Sequence, residues 1–334
     1  MTKHNTRAMV AAKIAMMAAL SLGSACTIDD DALDQTEFRT TFGCNKCNLG
    51  GSNSANVNMY PINSVHLDGA PNHKGVRFES IENLGGLHFG LTTVGETLAA
   101  VDPVTKQVIA EGTGLLGWTL HFNAGGDPLE VEILGYNPGI GSWATNGAPI
   151  SGYALGYKNP INPREKLSVC PDLLNKPDQI AATIIRGEIY DEETRTPIPS
   201  PDSITIACFG NAAAKMKLMN YGPKSDFDGL GNAATVAQRQ ATLRMLTADY
   251  CGDGTIFTAD GTPLDWRNDL GTVLPAGAPQ FADIEAIWDE NGALCLTTPR
   301  VAELWEVEEH CTLPACTEKM LVNVPHEWIT WRKP

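Results

Sequence analysis

"GWTLHF" (117–122) and "LEVEILGY" (129–136) alternate apolar and polar residues and stop at turn residues. That is the period-two pattern of strands with one buried face. "SVHLDG" (64–69), "GVRFESI" (75–81), "GLHFGLTTV" (86–94) and "KQVIAEG" (106–112) are shorter runs of the same kind. Residues 41–165 are rich in Gly, Asn and Pro and short of helical periodicity, so a β-rich sandwich or barrel-like domain is predicted over 41–165. "PGIGSWATNGAP" (138–149) has no period and reads as loop, and "NPINPRE" (159–165) supplies a proline-marked boundary. Some 300 residues beyond a leader exceed a typical single domain, which makes two domains the default.

The second part mixes classes. "AATIIRGEIYD" (181–191) and "SITIACFG" (203–210) read as strands, joined through a Pro/Ser-rich turn, "TPIPSPDS" (196–203). "NAAAKMKLMNYG" (211–222) predicts a helix with Gly222 as its stop. "AATVAQRQATLRMLTADY" (233–250) is the best helical pattern in the chain. Val236, Leu243 and Met245 or Leu246 recur on one face, which places Arg239 and Arg244 outside. "RVAELWEVEEH" (300–310) predicts a last helix before a cysteine loop and a Trp-rich tail. The predicted class is α+β, mainly β. It comprises the β-rich domain, a smaller disulfide-stabilised α+β domain over 166–300, and a C-terminal helix and cysteine loop over 301–334.

The first 25 residues read as a targeting segment. Lys3, Arg7 and Lys13 precede the apolar run "IAMMAALSLGSA" (14–25), which is too short to span a bilayer and closes on small residues. "LGSAC" (22–26) resembles the lipobox of bacterial lipoproteins, with Gly23 where Leu is usual, and makes Cys26 the expected lipidation site. Plain cleavage near Ala25 is the alternative. Thr27 after the cysteine points to the outer membrane, and 26–40 is an acidic tether without apolar periodicity. The expected location is therefore outside the cytoplasm: an outer membrane lipoprotein, or periplasmic or extracellular.

Of nine cysteines, Cys26 aside, eight remain: Cys44, Cys47, Cys170, Cys208, Cys251, Cys295, Cys311 and Cys316. In an exported chain these read as four disulfides with 105 conceivable pairings. A zinc site built from "CNKC" (44–47), Cys311 and Cys316 is the alternative. Net charge is −15, and the leader carries three basic residues and no acidic one, so a mature chain sits near −18. Such a surface repels nucleic acid and anionic lipid. The expected partners are a membrane, through the N-terminal lipid, and a protein or carbohydrate ligand.

"TADYCGDGT" (247–255) concentrates reactive residue types at the end of the best helix. Together with "SITIACFGNAAAKMKLMNYGPKSDFDGLG" (203–231) and "EAIWDENGALCLTTPR" (285–300), it resembles the ADYC-domain proteins over roughly 170–300. This is a group of exported, often lipoprotein-like proteins of the myxobacterial type. The motif residues are Ala248, Asp249, Tyr250, Cys251, Gly252, Asp253 and Gly254. The resemblance implies export and a cysteine framework, and it brings no catalytic residues with it. Many members carry cysteines at the positions of Met216 and Thr242, and their joint absence here fits the loss of one disulfide.

Three chemistries fit the motif. Cys251 as a nucleophile requires a base nearby, yet no histidine stands close in sequence. "DYCGDGTIFTAD" (249–260) places Asp249, Asp253 and Asp260 at positions 1, 5 and 12 of a calcium-loop pattern, but Cys251 occupies position 3 and "GTP" (261–263) forbids a following helix. The same stretch also reads as a hairpin turning at 260–261. In the structural reading, Cys251 staples the helix end to another element, with Cys295 as the expected partner, and Gly252 and Gly254 supply unusual backbone angles.

Outside the motif, Asp226, Asp228, Asp283, Glu285 and Asp289 are the carboxylates available for acid/base hydrolysis, and Trp143, Trp305, Trp328 and Trp331 the aromatics available for a contact surface. No P-loop, complete dinucleotide fingerprint, HExxH or GxSxG motif occurs. The expected role is non-catalytic binding or envelope structure, with no cofactor. A secreted hydrolase and a calcium-dependent module at 249–260 are the alternatives.

Overall fold

The structure, a computed structural model, describes residues 55–259 and 262–333 of the 334-residue chain. The leader, Cys26, the tether, Cys44, Cys47 and Asp260 lie outside the described residues.

Strands β1 (Asn56–Val57) and β2 (Tyr60–Pro61) form a small antiparallel pair. One large antiparallel sheet follows. It contains β3 (Ser64–His66), β4 (Val76–Glu82), β5 (His88–Val94), β6 (Thr97–Val101), β7 (Val108–Glu111) and β8 (Thr119–Ala124). β9 (Asp127–Ile140), β10 (Ile150–Lys158), β11 (Lys166–Ser168), β12 (Ala182–Asp191) and β13 (Thr196–Cys208) complete it. The order is β3-β13-β12-β10-β9-β8-β4-β5-β6-β7, with β11 beside β10.

Alternation explains this sheet's inner face. Leu120 and Phe122 of β8 pair across from Val131 and Leu129 of β9, and all four are buried in one core. Thr119, His121 and Asn123 therefore point to the other side. The sheet curls until β6 lies against β10: the Leu98 amide donates to the Tyr153 hydroxyl at 2.7 Å, and the Thr97 and Ser151 hydroxyls meet at 3.0 Å.

Strands β12 and β13 are buried on both faces. Ile184, Ile204 and Ile206 enter the core of the curled sheet, whereas Ile185, Ala207 and Phe209 enter a second core. The second core lies under α1 (Ala212–Leu218) and α2 (Val236–Thr247). Beyond the helices stands a four-stranded antiparallel sheet of β14 (Leu264–Asn268), β15 (Ile284–Asp289), β16 (Gly292–Leu296) and β17 (Trp328–Arg332), in the order β14-β17-β15-β16. Helix α2 packs on β13 from one side and on β15 from the other. Short helices α3 (Leu304–Glu308) and α4 (Glu318–Asn323) lie between β16 and β17 in sequence. The result is mainly β with an intervening helical layer. Disulfides Cys170–Cys208, Cys251–Cys311 and Cys295–Cys316 staple it.

Several elements differ from their sequence patterns. The proline-marked stretch 159–165 falls inside the large sheet, since β12 and β13 continue it and β3 closes its far side. "TPIPSPDS" is strand, and the reversal sits at 192–195. Along 196–202 β13 has only β12 as neighbour, because β3 joins it at Ser203–Thr205, and prolines are tolerated where one strand edge is open. Leu264–Asn268 pairs with β17, and among the described residues of "GTIFTADGTPLDW" no strand precedes it; the turn expected at 260–261 lies outside the described residues. The helix predicted over 300–310 covers only 304–308, as α3, and is followed by the further short helix α4.

The face of α2 is also rotated. Val236 is 43% exposed, whereas Arg239 is buried. Arg239 Nε donates to Glu188 Oε2 at 2.7 Å, and the Tyr190 hydroxyl donates to Glu188 Oε1 at 2.8 Å. The guanidinium also donates to the Ala234 carbonyl. An apolar–charged pattern cannot reveal such a pair, because the charge is internal only when its partner arrives from a distant strand. Replacing Arg239 by Ala leaves Glu188 buried without a counter-charge, and the expected loss is about 3–5 kcal/mol in urea unfolding.

Candidate functional site

Every residue of the ADYC motif lies at the exit of α2. A capping box starts that helix: the Thr235 hydroxyl accepts from the Gln238 amide at 3.2 Å, and the Gln238 side chain accepts from the Thr235 amide at 2.9 Å. The helix ends where Ala248 takes the left-handed conformation at φ 54° and the Asp249 amide donates back to the Arg244 carbonyl at 3.0 Å. Glycine is usual there. Ala248 is fully buried, so its methyl group fills the core at the cost of a strained φ.

Asp249 and Tyr250 both point inward. Asp249 Oδ2 accepts from the Gly254 amide at 3.2 Å and lies 3.9 Å from Arg244 Nε, while Oδ1 is buried without a hydrogen-bond partner. Burial pushes the Asp249 carboxyl above the ordinary 3.8, against the Arg244 charge and the Gly254 amide. The Tyr250 hydroxyl donates to Glu285 Oε1 at 2.5 Å and accepts from the Arg300 amide at 3.0 Å. Arg300 grips Glu285 with Nε at 2.7 Å and Nη2 at 3.1 Å, and Nη2 also reaches the Met245 carbonyl at 2.9 Å. Burial alone would lower the Arg300 pKa, but Glu285 and Tyr250 together more than offset it and the pKa is raised. The Tyr250 ring stacks on Trp288 at 5.2 Å, and its carbonyl accepts from the Ala293 amide at 2.8 Å. One tyrosine thus ties α2 to β15, β16 and the 300 segment.

Cys251 is disulfide-bonded to Cys311, and the expected partner Cys295 is bonded to Cys316 instead. The pairing follows from the sheet: Cys295 on β16 is fully buried in the core on the other side of the small sheet, with Ile287 and Ile329. Gly252 has φ 69°, and a Cβ there would stand 1.9 Å from the Asn291 carbonyl oxygen. Gly254, at φ 90°, would meet the Glu193 carbonyl at 2.1 Å. Asp253 Oδ1 accepts from the Thr255 amide at 2.9 Å, and its Oδ2 lies 3.3 Å from His310 Nδ1.

At the junction the motif's cysteine and its carboxylates are engaged within the fold. Cys251 is no thiol, so it offers no nucleophile, and as a cystine it offers no ligand at position 3 of a calcium loop. Asp249 is turned inward and Asp253 is held by Thr255 and His310. Cys311 and Cys316 belong to two different disulfides, which leaves them no thiolate for zinc. Among the carboxylates singled out for hydrolysis, Glu285 is locked to Arg300 and Tyr250. Asp226 accepts from the Gly231 amide at 2.7 Å, Asp228 from Asn232 at 2.7 Å and Asp289 from the Asn291 amide at 2.7 Å. Asp283 lines a shallow surface depression with Arg332 and Lys333. Of the tryptophans singled out for a contact surface, Trp143, Trp328 and Trp331 are core residues and Trp305 is exposed. Met216 and Thr242 are both fully buried, on the two helices that pack together.

One group carried no sequence motif. Glu82, His88 and His121 converge on the outer face of the large sheet, with one ligand atom from each within 4.8 Å of the others. Their strands are neighbours only in the sheet order, and that order brings the three together.

Two consequences of the junction are measurable. A raised native pKa means that the folded chain holds the Asp249 proton more tightly than the unfolded chain. This carboxyl therefore withdraws stability as pH rises from 3.8 through its native value. Asp249→Asn removes that dependence, so the variant gains on the parent as pH rises above about 4, read as diverging urea midpoints. Tyr250→Phe leaves a buried Glu285 oxygen and the Arg300 amide short of a partner, and is expected to cost about 1–3 kcal/mol by the same assay.

Comparison with known proteins places this junction in context. Searches of curated proteins and of solved structures find no match. The family model described as the ADYC domain matches residues 112–302, more than half of the chain, beginning well before the segment whose motifs resemble it. The chain belongs to the ADYC domain family.

Proposed function

We propose that this protein is an exported cell-envelope protein, attached to a membrane by a lipid on Cys26, whose ADYC unit is a non-catalytic binding or structural module. The observation that carries the reading is the closure of the motif. Asp249 and Tyr250 are buried, and Cys251 is oxidised in a staple to Cys311. The residues that look most reactive are those that hold α2 against the small sheet.

Compartment supports the same reading. Three disulfides among the described residues are the chemistry of an oxidising, extracytoplasmic environment. No helix among the described residues is long and apolar enough to cross a membrane. The leader pattern and the cysteine at its end supply an attachment of another kind, and a net charge of −15 disfavours nucleic acid as partner. For a protein or carbohydrate ligand, Trp305 is 58% exposed beside Val301 and Leu304, which are 51% and 42% exposed. Exposed aromatics of this kind carry much of the contact energy in binding surfaces.

Mass spectrometry of the chain recovered from a bacterial envelope tests the anchor. The expected N-terminal peptide begins at an acylated Cys26, and Cys26→Ser moves the protein to the soluble fraction. A mature chain carrying an unmodified Cys26 overturns the anchor.

A further inference from the structure

We propose that Glu82, His88 and His121 form a binding site for a divalent transition metal, zinc foremost, on the outer face of the large sheet. The inference does not depend on the export reading. It starts from register. Glu82 on β4 pairs directly with His88 on β5, and on its other side β4 pairs Ser80 with His121 of β8. Ser80, Glu82, His88 and His121 therefore share one face, while Ile81, Leu120 and Phe122 fill the core beneath. Three adjacent strands hold the three donors on a backbone that is already hydrogen-bonded.

The donor atoms converge. His121 Nε2 lies 2.7 Å from Glu82 Oε2, and His88 Nε2 lies 4.0 Å from the same oxygen. The two imidazole rings stand 5.4 Å apart. Zinc bonds of about 2.0–2.1 Å set neighbouring ligands of a tetrahedron roughly 3.3 Å apart. The two distances straddle that value, so small side-chain rotations bring all three atoms onto one ion. His88 is also oriented from behind: Ser80 Oγ meets its Nδ1 at 2.9 Å, and accepting the Nδ1 proton leaves the Nε2 lone pair facing the site. Glu130, opposite His121 on β9, is paired with Lys158 at 3.1 Å and is not needed as a ligand.

Two imidazoles and one carboxylate select a borderline transition ion over calcium or magnesium, which require oxygen cages. The His88 side chain is 56% exposed, Glu82 32% and His121 21%, so the fourth position of the ion faces solvent. Three protein ligands plus one exchangeable position is an open site, able to accept water or a donor group from a partner.

Zinc titration of the untagged chain, with its disulfides formed and any remaining thiols alkylated, tests the assignment by calorimetry. One equivalent is expected to bind and to raise the melting temperature. Ser80→Ala is expected to weaken binding about tenfold, and His88→Ala/His121→Ala to abolish it while circular dichroism remains that of the parent. Copper(II) bound to the parent chain gives a second reading that needs no variant: its electron paramagnetic resonance spectrum should carry the splitting of two imidazole nitrogens. Absence of stoichiometric binding, binding that survives the double substitution, or a copper spectrum without two nitrogens each overturns the proposal.

Discussion

Strands β12 and β13 carry apolar side chains on both faces, and the remaining architecture is arranged around covering them. Ile184 and Ile206 face the curled sheet, and Ile185 and Ala207 face the helices. A strand pair buried on both sides needs a layer on each side. The curling of β4–β10 provides one. Helices α1 and α2 provide the other, and the small sheet then covers their outer surface. The pair thus belongs to both cores at once, and the segments on either side of it cannot be treated as separate bodies.

Four polar groups in these cores resemble one another in construction. Glu188 is held by Tyr190 and Arg239, Glu285 by Tyr250 and Arg300, Glu327 by Tyr221, and Lys217 by Glu96 and the Ile184 carbonyl. Burial raises the pKa of Glu188 and of Glu327 and lowers that of Lys217, in each case against its partner. Buried ion pairs return little net stability once desolvation is counted, but a half-made one is costly. Such pairs therefore penalise wrong arrangements of α1, α2 and the strands more than they reward the right one. The ADYC tyrosine belongs to this set, which gives the motif a part in positioning the elements around it.

Local pattern gave access to much of this fold. Strands with one buried face, such as β4, β8 and β9, show alternation that any register would preserve. The α2 span and the turn-forming role of Gly252 and Gly254 were equally local. What escaped was everything decided by distant neighbours. Arg239 turned inward because Glu188 waits on β12, and "TPIPSPDS" became strand because one edge of β13 is open. Cys251 found Cys311 rather than Cys295 because Cys295 serves the other face of the small sheet. Glu82, His88 and His121 escaped for the same reason: their strands are neighbours in a sheet order that no spacing along the chain encodes.

The position of β17 in the small sheet has a temporal meaning. It lies between β14 and β15, yet it is made of Trp328–Arg332, which follow β16 in the chain. Until those residues are in place, β14 lacks its hydrogen-bonding partner, β15 lacks one of its two, and Trp288 has no Thr330 hydroxyl to receive its indole proton. The sheet that covers α2 is therefore completed only when β17 joins it. The family match ends at 302, so a chain trimmed to that match would lack the strand that joins β14 to β15.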